Sequence, residues 1–248
     1  MKLENKDFWE KDTVIVTQDR EKTVSADFET FMFQQAQIRQ KEIRTIENIK
    51  IFGCGTGREV NEAAKFFNPK KIVASDISEN MILKCNYNLK LWNIENKTET
   101  LVANAKDINL QIENFDLVMI FNSMMTYVPL RLDRLAIFKK SNEILKTNAV
   151  IIGTVHHQLG TLSKTLYFKI RHLLKPFLGD KVGNRITGFN GYEVPGYYYS
   201  KKDLINDLTL SGFVNIETYS LEEFYKKFNT TYNRKTGYNN LIFIASKK

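Results

Sequence analysis

The sequence has few of the residues that build disulfide frameworks, metal sites or membrane spans. Only two cysteines occur among its 248 residues, and Cys54 and Cys85 stand in unrelated places that suggest neither a disulfide framework nor a metal site. No apolar run reaches the roughly 18 residues that a membrane-spanning helix needs. Residues 1–7 also contain no apolar segment like that of a signal peptide. We therefore expect a cytoplasmic protein.

Length and composition indicate a single globular domain. A chain of 248 residues with 43% hydrophobic residues can bury a large core. No internal repeat, low-complexity stretch or interdomain linker interrupts it. The chain is basic, with a formal net charge of +8.

A glycine-rich turn is the most informative feature. The apolar run 49–52 is typical of a buried strand, and a helical pattern begins at Arg58, directly after three alternating glycines. Gly53 allows a tight turn. We expect Gly55 and Gly57 to remove the Cβ atoms that would keep a ligand away from backbone N–H groups at the helix N-terminus. This arrangement predicts a nucleotide-binding turn.

The next strand and the glycine spacing indicate which nucleotide is bound. Residues 71–75 form a second apolar strand that ends in Asp76, whose carboxylate can accept hydrogen bonds from ribose hydroxyls. A dinucleotide fingerprint would need its third glycine at position 58, five residues after Gly53, where this chain has Arg58. NAD is therefore disfavoured.

Together with the motifs that follow it, the turn resembles the cofactor site of class I S-adenosylmethionine (SAM)-dependent methyltransferases. Four further segments occur in the order that this family has: 76–81, 101–105, 115–121 and 145–153. The resemblance implies SAM as the cofactor and S-adenosylhomocysteine as its product. The cofactor-binding residues that it implies are Gly53, Cys54, Gly55, Gly57, Asp76, Ile77, Met81, Asn104, Ala105 and Asn122.

The chain departs from the family pattern at one position. The family commonly has an acid two residues before the first glycine, where it helps to hold the methionine end of SAM, and this chain has Ile51 there. Another group must then receive the ammonium of the cofactor. Asn122 and the backbone carbonyls of Gly53 and Phe121 are the candidates.

The alternation of strands and helices predicts a Rossmann-like α/β fold with a seven-stranded, mostly parallel sheet covered by helices on both faces. The resemblance implies that the last strand is antiparallel. The predicted strands are 49–53, 71–75, 99–103, 115–121, 148–155, 213–219 and 240–245. The predicted core helices are 57–67, 79–92 and 131–146, and a capping box at Ser200–Asp203 opens a further helix that stops before Gly212.

Four segments of one methyltransferase domain are expected. Residues 1–45 form an N-terminal cap with a helix from about Ala26 to Arg44, and residues 46–155 form the SAM-binding core. Residues 156–202 form an inserted acceptor lid after the fifth strand. Residues 203–248 contain the C-terminal helix and the closing strands.

The insert 156–202 concentrates positive charge. It has eight bases and two acids, so it carries +6 of the net charge of +8. Basic groups beside an acceptor pocket favour a small substrate with phosphate or carboxylate, and Arg185 is the first candidate to hold it. A solvated surface of lysines is the alternative.

An amphipathic basic helix is predicted inside the insert. Apolar residues recur at helical spacing, with lysines and arginines between them: Leu162, Leu166, Ile170, Leu173 and Phe177. We expect this helix to pack its apolar side on the domain. Contact with an acidic membrane surface is the alternative.

Methyl transfer is an in-line displacement, so positioning the acceptor is the main task and no metal is required. A hydroxyl acceptor gains from a general base, and His156 and His157 stand at the end of the fifth strand, where ligands bind in open α/β sheets. Tyr127 and the run Tyr197, Tyr198 and Tyr199 are expected to contact the acceptor, more as pocket walls than as catalysts.

Several other functions remain open on the sequence. A nucleic-acid methyltransferase fits the pI of 9.2, but a base-flipping motif of the Asn-Pro-Pro-Tyr type is missing after the fourth strand. A protein methyltransferase or a non-catalytic SAM-binding regulator would have the same cofactor motifs. The composition, rich in Lys, Asn and Ile, suggests a bacterial source.

Overall fold

The computed structural model describes residues 1–20, 26–40, 45–111, 113–227 and 239–248. Their central element is a seven-stranded sheet in the order β3-β2-β1-β4-β5-β9-β8. Its strands are β1 (Asn48–Phe52), β2 (Lys71–Asp76), β3 (Thr98–Val102), β4 (Phe115–Ile120), β5 (Leu145–His156), β8 (Phe213–Ser220) and β9 (Asn240–Lys247). Strand β9 runs antiparallel to both β5 and β8, and the pairs among β1 to β5 are parallel. The predicted fold is confirmed.

Side-chain alternation along the strands builds two hydrophobic cores, one on each face of the sheet. Ile49 and Ile51 of β1 face one core, which helices α3, α4 and α5 cover. Phe52, the next residue along β1, faces the other core, which α6 and α9 cover. The ranges are α3 (Asp27–Gln40), α4 (Arg58–Phe67), α5 (Glu79–Leu91), α6 (Arg131–Ile144) and α9 (Lys201–Leu210). Burial on both faces explains why β4 is apolar at nearly every position.

Local capping sets the start of two of these helices. The Ser78 hydroxyl accepts from the N–H of Met81 at the start of α5. Ser200 accepts from the N–H of Asp203 at the start of α9, which is the predicted capping box. Helix α6 ends at Ile144, two residues earlier than predicted, because the chain continues directly into β5 at Leu145.

The two segments outside the core contain elements that the sequence analysis did not predict. Two short helices, α1 (Asn5–Trp9) and α2 (Asp12–Arg20), precede α3. The predicted helix over 26–44 corresponds to α3, and its last four residues, 41–44, lie outside the described residues. The insert consists of α7 (Leu162–Leu173), α8 (Lys175–Leu178) and an antiparallel hairpin of β6 (Asn184–Thr187) and β7 (Val194–Tyr197). A short helix, α10 (Leu221–Lys227), follows β8.

The expected packing of the amphipathic helix is wrong. The five apolar residues that were expected to face the domain are all exposed on α7 and α8: Leu162, Leu166, Ile170, Leu173 and Phe177. The buried residues of α7 are Lys164 and Phe168. Periodicity showed that the leucines share one face, but the neighbouring elements decided which face turned inward. No helix among the described residues is long and apolar enough to cross a membrane.

Candidate active site

A cavity of about 200 Å³ lies at the carboxyl ends of β1 and β2, the usual ligand position in an open α/β sheet. Most of the residues implied as cofactor-binding line this cavity: Gly53, Gly55, Asp76, Ile77, Met81, Asn104, Ala105 and Asn122. Residues that the sequence analysis did not single out for this site also line it, among them Asn5, Trp9, Gln18, Met124 and Ile137. The site therefore combines the first three strands of the fold with the N-terminal segment.

The three glycines have different roles. All have positive φ, which glycine adopts at low cost. A Cβ on Gly55 would meet no atom within 4 Å, whereas a Cβ on Gly57 would lie 2.9 Å from the Cys85 sulfur. A Cβ on Gly53 would lie 2.5 Å from a side-chain carbon of Met124. Gly55 therefore leaves room in the cavity, and Gly57, expected to do the same, instead allows α4 to approach α5.

Cys54 does not line the cavity either. It is 1% exposed and belongs to the core beneath α4 and α5. The Cys85 thiol beside it and its burial raise the pKa of the Cys54 thiol well above the usual value. Its part in the turn comes from its backbone, because its N–H donates to the Ser75 carbonyl at 3.0 Å.

Asp76 is held in place by the turn that it faces. One carboxylate oxygen accepts from the N–H of Gly55 at 2.9 Å, and the other accepts from the N–H of Ser78 at 3.0 Å. Burial raises the pKa of this carboxyl, and the backbone N–H groups oppose that shift. Each carboxylate oxygen can accept more than one hydrogen bond, so Asp76 can also accept from the hydroxyls of a ribose in the cavity.

A buried polar cluster adjoins the first cavity at Asn122. Ile51 itself is in the hydrophobic core. Asn122 lines the cavity, and its amide donates to the Glu59 carboxylate at 2.7 Å. Arg58 bridges Glu59 and Glu29 through its guanidinium, with N–O distances of 2.7 and 2.5 Å. Burial raises the pKa of the Glu59 carboxyl. The sequence analysis named Asn122 but not Arg58, Glu59 or Glu29. The adjacent Arg58 and Glu59, directly after the glycines, were the one feature of the sequence that could have indicated this cluster.

The N-terminal segment is fastened over the start of α5, next to Asp76. The Ser78 hydroxyl donates to the Trp9 carbonyl at 3.1 Å. The Glu10 carboxylate accepts from the N–H groups of Glu79 and Asn80 at 2.8 and 3.2 Å. An acid at this position accepts hydrogen bonds from N–H groups that have no partner within the helix. Its negative charge is also attracted to the positive end of the helix dipole. These contacts make α1 a wall of the cavity.

A second, larger cavity of about 590 Å³ adjoins the first. The two share the side chains Trp9, Gln18, Asn122 and Tyr127. The second cavity is also lined by His156, Lys164, Arg185 and Tyr198, together with Asn239 and Asn240 at the start of β9. No carboxylate lines it among the residues that the structure describes. It can therefore hold an acceptor next to a cofactor in the first cavity.

The bases of this second cavity surround one aromatic ring. The Lys164 ammonium lies 5.9 Å and the Arg185 guanidinium 5.6 Å from the centre of the Tyr198 ring. Burial and the nearby Arg185 lower the pKa of Lys164 to about 8. Two cations this close repel each other, and an anion between them would remove that repulsion. Lys164 was counted with the other bases of the insert and not recognised as a residue of the site.

The two histidines lie on different sides of the end of β5. His156 lines the second cavity, and its ring centre is 5.2 Å from that of Tyr198 and 6.2 Å from that of Tyr127. His157 is 6% exposed and lines neither cavity; its Nδ1 lies 3.4 Å from the Asn239 side-chain nitrogen. Burial and the Lys164 charge lower the pKa of both histidines to about 4, so both rings are neutral near pH 7.

The tyrosine run divides in the same way. Tyr198 lines the second cavity, whereas Tyr197 and Tyr199 are 4% and 0% exposed and lie in the core covered by α6 and α9. The Arg134 guanidinium lies 3.5 Å from the centre of the Tyr197 ring, an arrangement that stabilises the buried charge. The expectation that all three tyrosines contact the acceptor is therefore corrected for Tyr197 and Tyr199, because alternate residues of an extended segment point in opposite directions.

Comparisons with known proteins agree with this geometry. The family model described as a methyltransferase domain matches residues 49–148, from β1 into the start of β5. No curated protein matches the chain significantly.

Solved structures of low sequence identity share the fold. A SAM-dependent methyltransferase from Methanosarcina mazei is 21% identical over 85% of this chain and 96% of its own, with a TM-score of 0.62. Phosphoethanolamine N-methyltransferase 2 from Haemonchus contortus, in complex with S-adenosylhomocysteine, is 16% identical over 99% of this chain and 60% of its own, with a TM-score of 0.62. Magnesium protoporphyrin IX methyltransferase from Synechocystis, also with bound S-adenosylhomocysteine, is 16% identical over 98% of this chain and 97% of its own, with a TM-score of 0.60.

The family match begins in the strand before the glycine turn and includes the turn, Asp76 and Asn122, the residues that the geometry brings around the first cavity. The residues present fit the adenosine part of SAM. Asp76 can accept from the ribose, Gly55 leaves open space, and Ile77 and Met81 form apolar walls. Residues 49–148 thus match a methyltransferase domain that uses SAM, and the chain has the fold that solved SAM-dependent methyltransferases share.

Proposed function

We propose that the protein transfers a methyl group from SAM to an oxygen or nitrogen atom of a small anionic molecule bound in the second cavity. The observation that carries this proposal is the pairing of Lys164 and Arg185 in a cavity that adjoins the cofactor site and that no described carboxylate lines. Arginine can hold phosphate or carboxylate through two parallel hydrogen bonds, and lysine adds a point charge.

One solved structure of similar fold supports an anionic acceptor. The Haemonchus contortus enzyme was solved with phosphomonomethylethanolamine, a phosphorylated amine. At 16% identity this similarity concerns the fold, so it gives an example of an acceptor and not the identity of this one.

We assign the general base to His156 if the acceptor is a hydroxyl. SAM supplies an electrophilic methyl group, and the acceptor atom must lose a proton as its bond to that methyl group forms. The imidazole of His156 lines this cavity and is neutral near pH 7, since burial lowers its pKa to about 4, which also makes it a weaker base than an ordinary histidine. A neutral ring can take the proton that a hydroxyl gives up. His157 lines neither cavity and is assigned no such part. An amine acceptor would need only to bind in its neutral form.

Methyl-labelled SAM tests the proposal. The protein is incubated with labelled SAM and fractions of bacterial metabolites, and the label should appear in a small molecule that an anion-exchange resin retains. Lys164→Gln and Arg185→Gln should each raise KM for that acceptor and leave the affinity for SAM near that of the wild type. Lys169→Gln, on the exposed side of the same helix, is the matched control and should change neither. Label in a protein or in RNA, or in no molecule at all, would contradict the proposal.

A further inference from the structure

Helices α7 and α8 expose large apolar side chains. Leu162, Leu173 and Phe177 are 89%, 81% and 89% exposed, which is close to the exposure of a free side chain. We name as the outer face the five residues Leu162, Leu166, Ile170, Leu173 and Phe177. The four residues on α7 follow the spacing i, i+4, i+8, i+11, so they form one stripe along the helix. Large exposed apolar patches on a protein usually mark an interaction site.

The domain does not need the outer face to hold α7 in place. Phe168, on the opposite side of the helix, is 1% exposed, and the Arg171 guanidinium donates to the Val182 carbonyl at 2.8 Å. The Thr161 hydroxyl accepts from the N–H of Lys164 and caps the first turn. The helix is therefore fixed from its inner side, and the most exposed residues, Leu162, Leu173 and Phe177, contribute little to that packing.

Most of the exposed charges on α7, α8 and the turn after them are basic. Lys169, Lys175 and Lys181 are all exposed on α7, α8 and the turn after them. Asp180 is the single acid between residues 156 and 192, and it pairs with Arg131 at 3.1 Å. With Asp203 and Asp207 it lines a cavity that Lys175 also lines, whereas Lys169 and Lys181 do not line that cavity. A helix with leucine and phenylalanine on one side and lysines beside them is typical of segments that lie flat in the interface of an anionic bilayer.

We propose that the outer face binds the surface of an anionic lipid bilayer, with the apolar side chains among the acyl chains and Lys169, Lys175 and Lys181 at the headgroups. A second copy of the chain fits this surface less well. A two-fold interface would place the same lysines of two copies against each other, and like charges across an interface oppose association. The proposal rests on the outer face alone and not on the identity of the methyl acceptor.

Sedimentation with lipid vesicles tests it on the full chain. Vesicles of phosphatidylcholine that contain phosphatidylglycerol should carry the protein into the pellet, and vesicles of phosphatidylcholine alone should carry much less. The double variant Leu173→Gln with Phe177→Gln keeps the net charge. Its affinity for the anionic vesicles should be at least about tenfold lower than that of the wild type. Leu132→Gln is the matched control, because Leu132 on α6 is 80% exposed but lies outside the outer face, and it should bind like the wild type.

A second arm separates charge from apolar contact. Lys169→Gln with Lys175→Gln should weaken binding to anionic vesicles and make it less sensitive to salt, whereas Lys90→Gln on α5 should not. Circular dichroism checks that each variant is folded. Equal pelleting of wild type and the Leu173/Phe177 variant would overturn the proposal. A dimer in sedimentation velocity that this variant dissociates, without vesicle binding by the wild type, would also overturn it and assign the outer face to a second copy.

Discussion

The backbone N–H of Gly55 donates to the Asp76 carboxylate at 2.9 Å, so the glycine turn after β1 and the acid that ends β2 form one structural unit. Two segments about twenty residues apart in sequence are joined at the edge of the sheet where the cofactor cavity opens. Because of this link, substitutions in either partner should affect cofactor binding.

Asp76→Ala should weaken SAM binding by about 1.5–3 kcal/mol, the usual effect of losing hydrogen bonds to a charged acceptor. Isothermal titration calorimetry measures this directly. Asp107→Ala, which removes an exposed carboxylate nearby, is the control and should bind SAM like the wild type. Unchanged affinity in Asp76→Ala, or tighter binding of NAD than of SAM, would contradict the cofactor site.

Gly55→Ala and Gly57→Ala should rank in opposite order for the loss of SAM affinity and for the loss of stability. Both residues have positive φ, so each alanine costs about 1–2 kcal/mol in backbone strain. A Cβ at Gly57 also lies 2.9 Å from the Cys85 sulfur, and such overpacking adds about 1–3 kcal/mol. Urea unfolding should therefore show a larger loss of stability for Gly57→Ala, whereas calorimetry should show the larger loss of SAM affinity for Gly55→Ala. The reverse order would mean that Gly57, not Gly55, faces the cofactor.

The dependence of the acceptor reaction on pH should report Lys164. Its pKa is lowered to about 8, so the ammonium is charged below that pH and loses its charge as the pH rises through it. For an anionic acceptor, kcat/KM should therefore fall above about pH 8.

Lys164→Arg is the decisive variant for this profile, because a guanidinium stays charged over the whole range. The fall above pH 8 should disappear in Lys164→Arg, and Lys164→Gln should give a low, flat profile. Titration of the acceptor itself would affect all three proteins alike, so the comparison isolates the residue. An unchanged profile in Lys164→Arg would remove Lys164 from acceptor binding.

His156 and His157 should differ in catalysis if the acceptor is a hydroxyl. His156→Asn should lower kcat by about 10²–10⁴-fold, the usual effect of removing a general base, and leave SAM affinity near that of the wild type. His157→Asn should keep turnover, because His157 lines neither cavity. Stopped assays at saturating SAM measure both. Full turnover in His156→Asn would mean that the enzyme acts by positioning the acceptor next to the methyl group of SAM. That result would favour an amine acceptor.

The sequence determined the central sheet and the cofactor turn. Strand alternation, glycine spacing and the position of Asp76 are local patterns, and a parallel sheet brings the carboxyl ends of its strands to one edge. The seven strands and the capping box at Ser200 follow from these local patterns, and the antiparallel last strand is what the family resemblance implied.

Only the tertiary structure decided what each face of an element meets. The period of α7 groups Leu162, Leu166 and Leu173 correctly, but Lys164 faces the second cavity and the leucines face outward. Side chains also alternate along an extended segment, which places His156 opposite His157 and Tyr198 opposite Tyr197 and Tyr199. That alternation does not indicate which of these residues lines the second cavity. Periodicity fixes which residues share a side, whereas the free energy of packing against distant segments decides which side is buried.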